Sequence, residues 1–233
     1  MGPLTVPVVD LATSSVRELN GALHRLSPQT NETHWEIRNP GGRHALAAGL
    51  DAPITVEIAG HAGYYCAGMN KGATVRVAGN VGVGVAENMM SGEVWVAGDA
   101  SQAAGATGRG GLLVIEGNAS ARCGISMKGI DIVVKGSIGP MSAFMAQEGN
   151  LVVLGDAGEA LGDSIYEARL FVRGTVKSLG ADCEEKAATP EQMSMLEGIL
   201  ARAGLEDVKA DEFRLYGSAR RLYHFQVDNV DAY

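Results

Sequence analysis

The chain has 233 residues, of which 46% are apolar and 20% are charged, and this composition is typical of a folded globular protein rather than a disordered one. Its formal net charge of −8 disfavours binding to nucleic acid or to an anionic membrane surface, because no basic run offsets the acidic balance. The N-terminus lacks a signal-peptide pattern and no apolar stretch approaches the length of a membrane span, which predicts a cytoplasmic protein.

Residues 1–34 are predicted to form an N-terminal capping segment with one short helix. Ser15 and Glu18 have the spacing of a capping box, in which the side chain of each residue accepts a hydrogen bond from the backbone N–H of the other. The apolar residues that follow recur at helical spacing and are Val16, Leu19, Leu23 and Leu26.

The dominant feature of the sequence is an internal repeat built on glycine. The chain contains 32 glycines, and seven of them recur at a constant interval of 19 residues: Gly60, Gly79, Gly98, Gly117, Gly136, Gly155 and Gly174. We interpret these as repeat-turn glycines, placed where the backbone adopts a conformation that other residues resist. A period of 19 is too short for a βαβ unit, and the Leu/Asn frame of leucine-rich repeats is absent.

Aligned on these glycines, the repeats form columns of similar residues. Apolar, mostly β-branched residues stand four and two positions before each glycine, from Val56 and Ile58 to Leu170 and Val172. Residues two apart lie on one face of a strand, so each repeat carries a strand that faces the core. The prediction is an all-β fold, a single-stranded right-handed parallel β-helix of about seven coils over residues 35–182. Its handedness follows from the general rule for parallel connections and from the resemblance described below.

An eighth, degraded coil is expected before the first regular one. Gly41 lies 19 residues before Gly60, and Ile37 keeps the apolar column, whereas Asn39 breaks the next column. Decay of the repeat is expected in a terminal, capping coil.

Three further columns describe the rest of each coil. The position after the glycine is polar and is expected to satisfy its own turn: His61, Asn80, Asp99, Asn118, Ser137, Asp156 and Thr175. The position seven residues after the glycine is always small: Ala67, Ala86, Gly105, Gly124, Ala143, Gly162 and Ala181. The position before that one is inward and contains Cys66 and Cys123, three coils and therefore about 14 Å apart, so they cannot form a disulfide.

A methionine-rich band lies eight to eleven residues after the glycines, and it is the candidate partner interface. Methionine is adaptable and is favoured at binding surfaces. The interface candidates are Met69, Asn70, Asn88, Met89, Met90, Met127, Lys128 and Met145. The alternative is that the methionines fill irregular gaps in the core.

No catalytic, cofactor-binding or metal-binding residue is predicted in this chain. His61 belongs to the polar column, where a structural role is favoured, and Cys66 and Cys123 share their column with apolar residues. Asp99 and Asp156 are three coils apart, and a single carboxylate does not make a calcium site. The repeat brings no nucleophile, base and orienting group together.

Residues 183–233 are predicted to form a C-terminal helix and a tail. Thr189, Pro190 and Gln192 supply an N-cap, a first-turn proline and a capping partner, and Gly204 ends the helix. The apolar stripe of this helix comprises Met193, Leu196, Ile199 and Leu200. The tail from residue 212 to residue 233 is expected to be irregular and to lie against the helix or on a partner.

The runs Gly60–Asn70, Gly79–Gly92 and Gly155–Gly158 resemble the C-terminal, glycine-motif β-helix domain of the glutamate synthase large subunit. The resemblance extends over about residues 39–186. Within this family the chain is most similar to the free-standing β-helix subunit of N-methylglutamate synthase.

The resemblance implies a scaffold subunit without its own activity. It implies two partners, an amidotransferase-like subunit and a synthase subunit that carries FMN and an iron–sulfur cluster, and no cofactor in this chain. The hetero-oligomer would convert glutamate and methylamine into N-methylglutamate and ammonia, and the β-helix would hold the two active parts in register.

Three alternatives stay open at this point. The β-helix subunit of formylmethanofuran dehydrogenase shares the fold but belongs to a tungsten or molybdenum complex. A stand-alone β-helical polysaccharide lyase would require secretion and an acidic calcium cluster. A self-assembling structural solenoid would need no partner subunit.

Overall fold

The computed structural model describes residues 6–220, and within them the chain forms one sheet of eleven strands with two α-helices and a 3-10 turn. Along the chain the elements are β1 (Val8–Asp10), α1 (Val16–Leu23), β2 (His34–Arg38), β3 (Thr55–Ile58), β4 (Thr74–Val77), β5 (Glu93–Val96), β6 (Leu112–Ile115), β7 (Lys128–Val134), β8 (Glu148–Val153), β9 (Arg169–Val172), β10 (Cys183–Lys186), α2 (Pro190–Arg202), the 3-10 turn (Ala210–Glu212) and β11 (Arg214–Ser218). Strands β1 to β9 follow one another in the sheet, and β11 lies between β9 and β10.

The parallel β-helix predicted from the repeat is confirmed. From β3 to β9 every neighbouring pair of strands is parallel and joins residues 19 apart, from Val56 beside Val75 to Leu151 beside Leu170. The exception is a bulge in β7, where Lys128 pairs with Glu148. The two apolar columns are buried in every coil and form the inner core of the solenoid. The interval of 19 therefore corresponds to one turn of the chain around that core.

The N-terminal coil exists, but its predicted register is wrong by two residues. Trp35 pairs with Val56 and Ile37 pairs with Ile58, so this coil spans 21 residues instead of 19. A shift of two leaves the inward and outward faces unchanged. It places Ile37 beside Ile58, where Asn39 was expected to interrupt the column, and Trp35 beside Val56. At the other end the register also slips, since Leu161 is bridged to Leu179 rather than to Gly180.

The polar column forms a ladder between coils rather than a set of separate turns. The side chain of each of the first six members accepts a hydrogen bond from the backbone N–H of the next member, 19 residues later. The ladder begins with Asn80 N–H donating to His61 Nδ1 at 2.9 Å and ends with Thr175 N–H donating to Asp156 Oδ1 at 2.7 Å. The links between them have the same form.

The repeat-turn glycines are required for a different reason from the one predicted. Of the seven, only Gly60 has a positive φ, at 144°. At Gly79 a Cβ atom would lie 2.7 Å from His61 Nδ1, and at Gly136 it would lie 2.7 Å from the carbonyl oxygen of Gly117. At the six positions other than Gly60, close approach of the preceding coil, and not left-handed backbone, excludes side chains.

Left-handed backbone occurs elsewhere in the six coils that begin at Gly60 to Gly155, at the fifth, seventh and ninth residues after the glycine. In one such arc Met141, Ala143 and Met145 have φ between 51° and 58°. Met141 and Met145 donate their N–H groups to the following coil, and Ala143 donates back to Cys123. In these six coils the small residues predicted at the seventh position fit this arrangement, because that position is left-handed and buried.

Helix α1 and strand β1 close the N-terminal end of the solenoid. The predicted capping box is present, since Glu18 N–H donates to Ser15 Oγ and the Glu18 carboxylate accepts from Ser15 N–H. Leu19 and Leu23 are buried against the inner core. Strand β1, which was not predicted, extends the sheet by pairing in parallel with β2.

Helix α2 covers the outer face of β6 to β9. Its predicted capping box joins Thr189 to Gln192, and its end before Gly204, with φ of 68°, is confirmed. The helix and the strands it covers form a second apolar cluster, which includes Val114, Val133, Val152, Phe171, Leu196, Ile199 and Leu200.

The tail is partly regular, so the prediction of an irregular segment is wrong for β11. This strand pairs antiparallel with both β9 and β10 and continues the sheet past the last coil. Its residues Leu215 and Tyr216 are buried, which explains why this part of the tail is ordered. The remainder of the predicted tail, residues 221–233, lies outside the described residues.

Candidate functional site

The methionine-rich band lies at the corner of the solenoid that contains the left-handed arcs, and the arcs divide it into two sets. Met69 and Met145 occupy the ninth position after the glycine and Met90 the eleventh, and their exposed fractions are 47%, 39% and 47%. Met89 and Met127 occupy the tenth position and are fully buried in the inner core. Because left-handed residues alternate along each arc, neighbouring methionines point either into the core or out to solvent.

Three of the predicted interface residues belong to the interior. Met89 and Met127 fill the core, as the alternative interpretation of the methionines holds. Asn70 is also fully buried, and its Nδ2 donates to the carbonyl oxygens of Ala73 at 2.7 Å and Ser91 at 3.2 Å. Because their side chains do not reach the surface, these three residues cannot contact a partner in this conformation.

The other five candidates reach the surface, and we call them the methionine face: Met69, Asn88, Met90, Lys128 and Met145. Asn88 Oδ1 accepts a hydrogen bond of 2.7 Å from Thr107 Oγ1, which fixes the amide within the band. No ion pair of Lys128 is found among residues 6–220. The face combines adaptable apolar side chains with one amide and one ammonium group, which suits binding to another protein.

The thiols of this chain are poorly suited to chemistry. Cys66 and Cys123 are fully buried, and burial raises the pKa of each thiol to about 12. Burial, together with the neighbouring carboxylates of Asp182 and Glu184, also raises the pKa of Cys183 to about 12. Since the thiolate is the reactive form, all three are weak nucleophiles at neutral pH.

The remaining polar candidates take part in the ladder. His61 and Asp99 each accept from the backbone of the next coil. The N–H and hydroxyl groups of Thr175 hold the pKa of the Asp156 carboxyl below its usual range. Over residues 6–220, no group of three or more His, Cys, Asp or Glu side chains is placed to hold a metal ion.

A groove that the sequence reasoning missed lies on the outer face of β2 to β5, next to the part covered by α2. Its volume is about 370 Å³, and its floor includes Ala59, Ala78 and Ala97. On one side the guanidinium of Arg76 lies over the ring of Trp95, 4.9 Å from its centroid. The sequence contains a sign of this groove at the outward position three residues before each glycine. That position is Glu57, Arg76 and Trp95 in β3 to β5 and becomes valine in β6.

Within the described part of the chain, no helix is long and apolar enough to cross a membrane. The coils, the glycine positions and the ladder define the class of protein, a parallel β-helix with a 19-residue glycine repeat. The chain is 64% identical over 228 residues to Protein GlxC of Rhizobium meliloti (strain 1021), and the match covers 98% of this chain and all of that relative. It belongs to the GlxC family. No family model matches the chain, and no solved structure matches it.

Proposed function

We propose that this chain is the β-helix scaffold subunit of a multi-subunit, glutamate-synthase-like enzyme of the N-methylglutamate synthase type. The observation that carries the proposal is the uninterrupted 19-residue glycine repeat, which resembles the glutamate synthase β-helix domain and forms seven stacked coils. Full-length similarity to Protein GlxC is compatible with a free-standing subunit of this kind.

The proposed division of work follows from the same resemblance. An amidotransferase-like subunit and a subunit with FMN and an iron–sulfur cluster would carry the chemistry, which converts glutamate and methylamine into N-methylglutamate and ammonia. This chain would hold these two subunits in a fixed position relative to each other. Its buried thiols, with pKa values of about 12, fit a structural role better than a nucleophilic one.

Purification from the native host is the direct test of the proposal. The untagged chain is isolated with its bound proteins, which are identified by mass spectrometry, and the complex is assayed for N-methylglutamate formation from glutamate and methylamine. We expect an amidotransferase-like protein and a flavoprotein. A molybdenum or tungsten protein would instead indicate the formylmethanofuran dehydrogenase type, and a chain without partners would contradict a scaffold role.

The methionine face is the proposed docking surface, and it can be tested by substitution. The triple variant Met69→Gln/Met90→Gln/Met145→Gln removes three exposed apolar side chains while leaving the buried methionines in place. If each contributes about 1 kcal/mol or more to the interface, the affinity for the partner subunits falls at least about tenfold. Quantitative co-purification with those subunits measures the loss.

The matched control is Val8→Gln on β1, where the valine is 45% exposed but lies at the N-terminal end of the sheet. This variant should retain its partners. Equal recovery of the partners with the triple variant and with wild type would show that docking uses another surface.

A further inference from the structure

A polar cavity of about 280 Å³ lies at the C-terminal end of the sheet, where β9, β10, β11 and the first turn of α2 meet. Among its lining residues are the cationic Arg169, Lys186 and Arg220 and the anionic Glu167. The chain as a whole has a net charge of −8, whereas the charged residues of this lining are mostly cationic.

Arg169 is the central cation of the cavity, and its partners are neutral. The side chain is half-buried, and its Nη1 lies 3.4 Å from Asn150 Oδ1 and 4.0 Å from Met195 Sδ. The nearest carboxylate in this network, Asp131, already accepts from Arg202 at 2.9 Å and from Asn150 at 2.7 Å. Arg169 therefore keeps most of its five N–H donors for another acceptor.

Lys186 and Gln192 add donors to the same wall. The stem of Lys186 passes over Gly217, where a Cβ atom would lie 3.5 Å from its Cδ and Cε atoms. Lys186 pairs with Glu184 at 3.2 Å in an exposed position, where such a pair is weak and exchanges readily. Gln192 uses its Oε1 to accept from Thr189 N–H, so its amide NH₂ is available to donate.

The one carboxylate of the lining is already engaged. Glu167 Oε2 accepts from Arg220 Nη2 at 3.0 Å, so this guanidinium partly offsets the negative charge of Glu167 in an exposed pair. A planar guanidinium with a nearby ammonium group and an amide donor is the arrangement that binds carboxylates and phosphates.

We propose that this cavity binds a small oxyanion, a carboxylate or a phosphate group, with Arg169 and Lys186 as its charged ligands. The proposal concerns the isolated chain and holds whether or not the partner subunits are those proposed above. Carboxylates and phosphates are both bound by guanidinium and ammonium groups through charge-assisted hydrogen bonds. Separate titrations with the two kinds of anion distinguish them.

The full-length chain is titrated separately with inorganic phosphate and with succinate, at an ionic strength held constant with sodium chloride. Isothermal titration calorimetry measures binding for wild type, Arg169→Gln and Lys186→Gln. Wild type should bind at least one of the two anions saturably, and each variant should weaken that binding at least about tenfold, because a charge-assisted hydrogen bond is lost.

The control is Arg173→Gln, which removes the same charge four residues later. Arg173 pairs with Glu212 at 3.4 Å and does not line the cavity, so this variant should bind as wild type does. Because Lys186 is exposed, its substitution leaves the fold intact even if Arg169→Gln does not. Binding that never saturates, or that is equal in wild type and Lys186→Gln, would overturn the proposal.

Discussion

Single side chains join the coils of this protein to one another. Each of the first six polar residues of the ladder accepts from a backbone N–H of the next coil, as Asn118 does from Ser137. The glycine of that next coil, Gly136 in this case, leaves room for the accepting side chain. A carboxylate, an amide, a hydroxyl and the Nδ1 of a neutral imidazole can all perform this role, because each offers an acceptor at a similar distance from the backbone. This tolerance explains why the column is polar but not uniform.

The two buried thiols, Cys66 and Cys123, give the stability of the fold a predictable dependence on pH. Their pKa values are about 12 in the folded chain, whereas an unfolded thiol titrates at about 8.5. Above that pH the unfolded chain loses thiol protons that the folded chain retains, so the free energy of unfolding decreases as pH rises. The contribution is about 1.4 kcal/mol per thiol for each pH unit.

Urea unfolding at pH 8, 9 and 10 measures this effect when wild type is compared with the variant Cys66→Ala/Cys123→Ala. The variant starts from a lower stability because two core side chains are smaller, but its stability should decline less steeply with pH. Lysine and tyrosine titrate in both proteins and cancel in the comparison. Parallel pH profiles would contradict the deep burial of the two thiols.

At the scale of elements, the strands that are apolar on both faces are those that helix α2 covers. Strands β6 to β9 have valine or phenylalanine at the outward position under α2, whereas β3 and β4 have Glu57 and Arg76 there. A strand that is covered on both sides reads as a continuous apolar run, and β6, Leu112–Ile115, is fully buried. Helix α2 is therefore an integral layer of the domain.

Leu200→Ala tests the contribution of α2 to the fold. Leu200 is buried between the helix and the outer face of the sheet, and its truncation should lower the free energy of unfolding by about 2–5 kcal/mol. Glu197→Ala, on the exposed side of the same helix, should change it by less than about 0.5 kcal/mol. Similar urea midpoints for the two variants would mean that α2 packs only loosely on the sheet.

At the scale of the whole molecule, the protein is a stack in which each coil contacts mainly its two neighbours, between an N-terminal cap of α1 and β1 and a C-terminal cap of β10 and β11. The stability of such a stack is approximately a sum of coil and interface terms. One complete coil can therefore be removed without changing the contacts of the others.

Deletion of residues 62–80 removes one coil and brings Val81 to the position of Ala62, which belongs to the same column of bridged residues. Far-UV circular dichroism should show a β-rich protein with a cooperative thermal transition at a lower temperature than wild type. Deletion of residues 62–81, one residue more, shifts the register by one and turns inward residues outward, so this chain should not fold cooperatively. If both deletions behave alike, the coils are not in strict register.

The sequence by itself determined the number of coils, the inward columns and both helices with their caps, because these features depend on period and on local hydrogen bonding. Only the tertiary structure decided that the glycines make room for a neighbouring coil, that Met89, Met127 and Asn70 point inward, and that β11 completes the sheet. Each of these depends on what lies one coil away or at the far end of the chain. The period of a repeat predicts which residues stack on one another, but the backbone conformation within each coil determines whether their side chains point into the core or out to solvent.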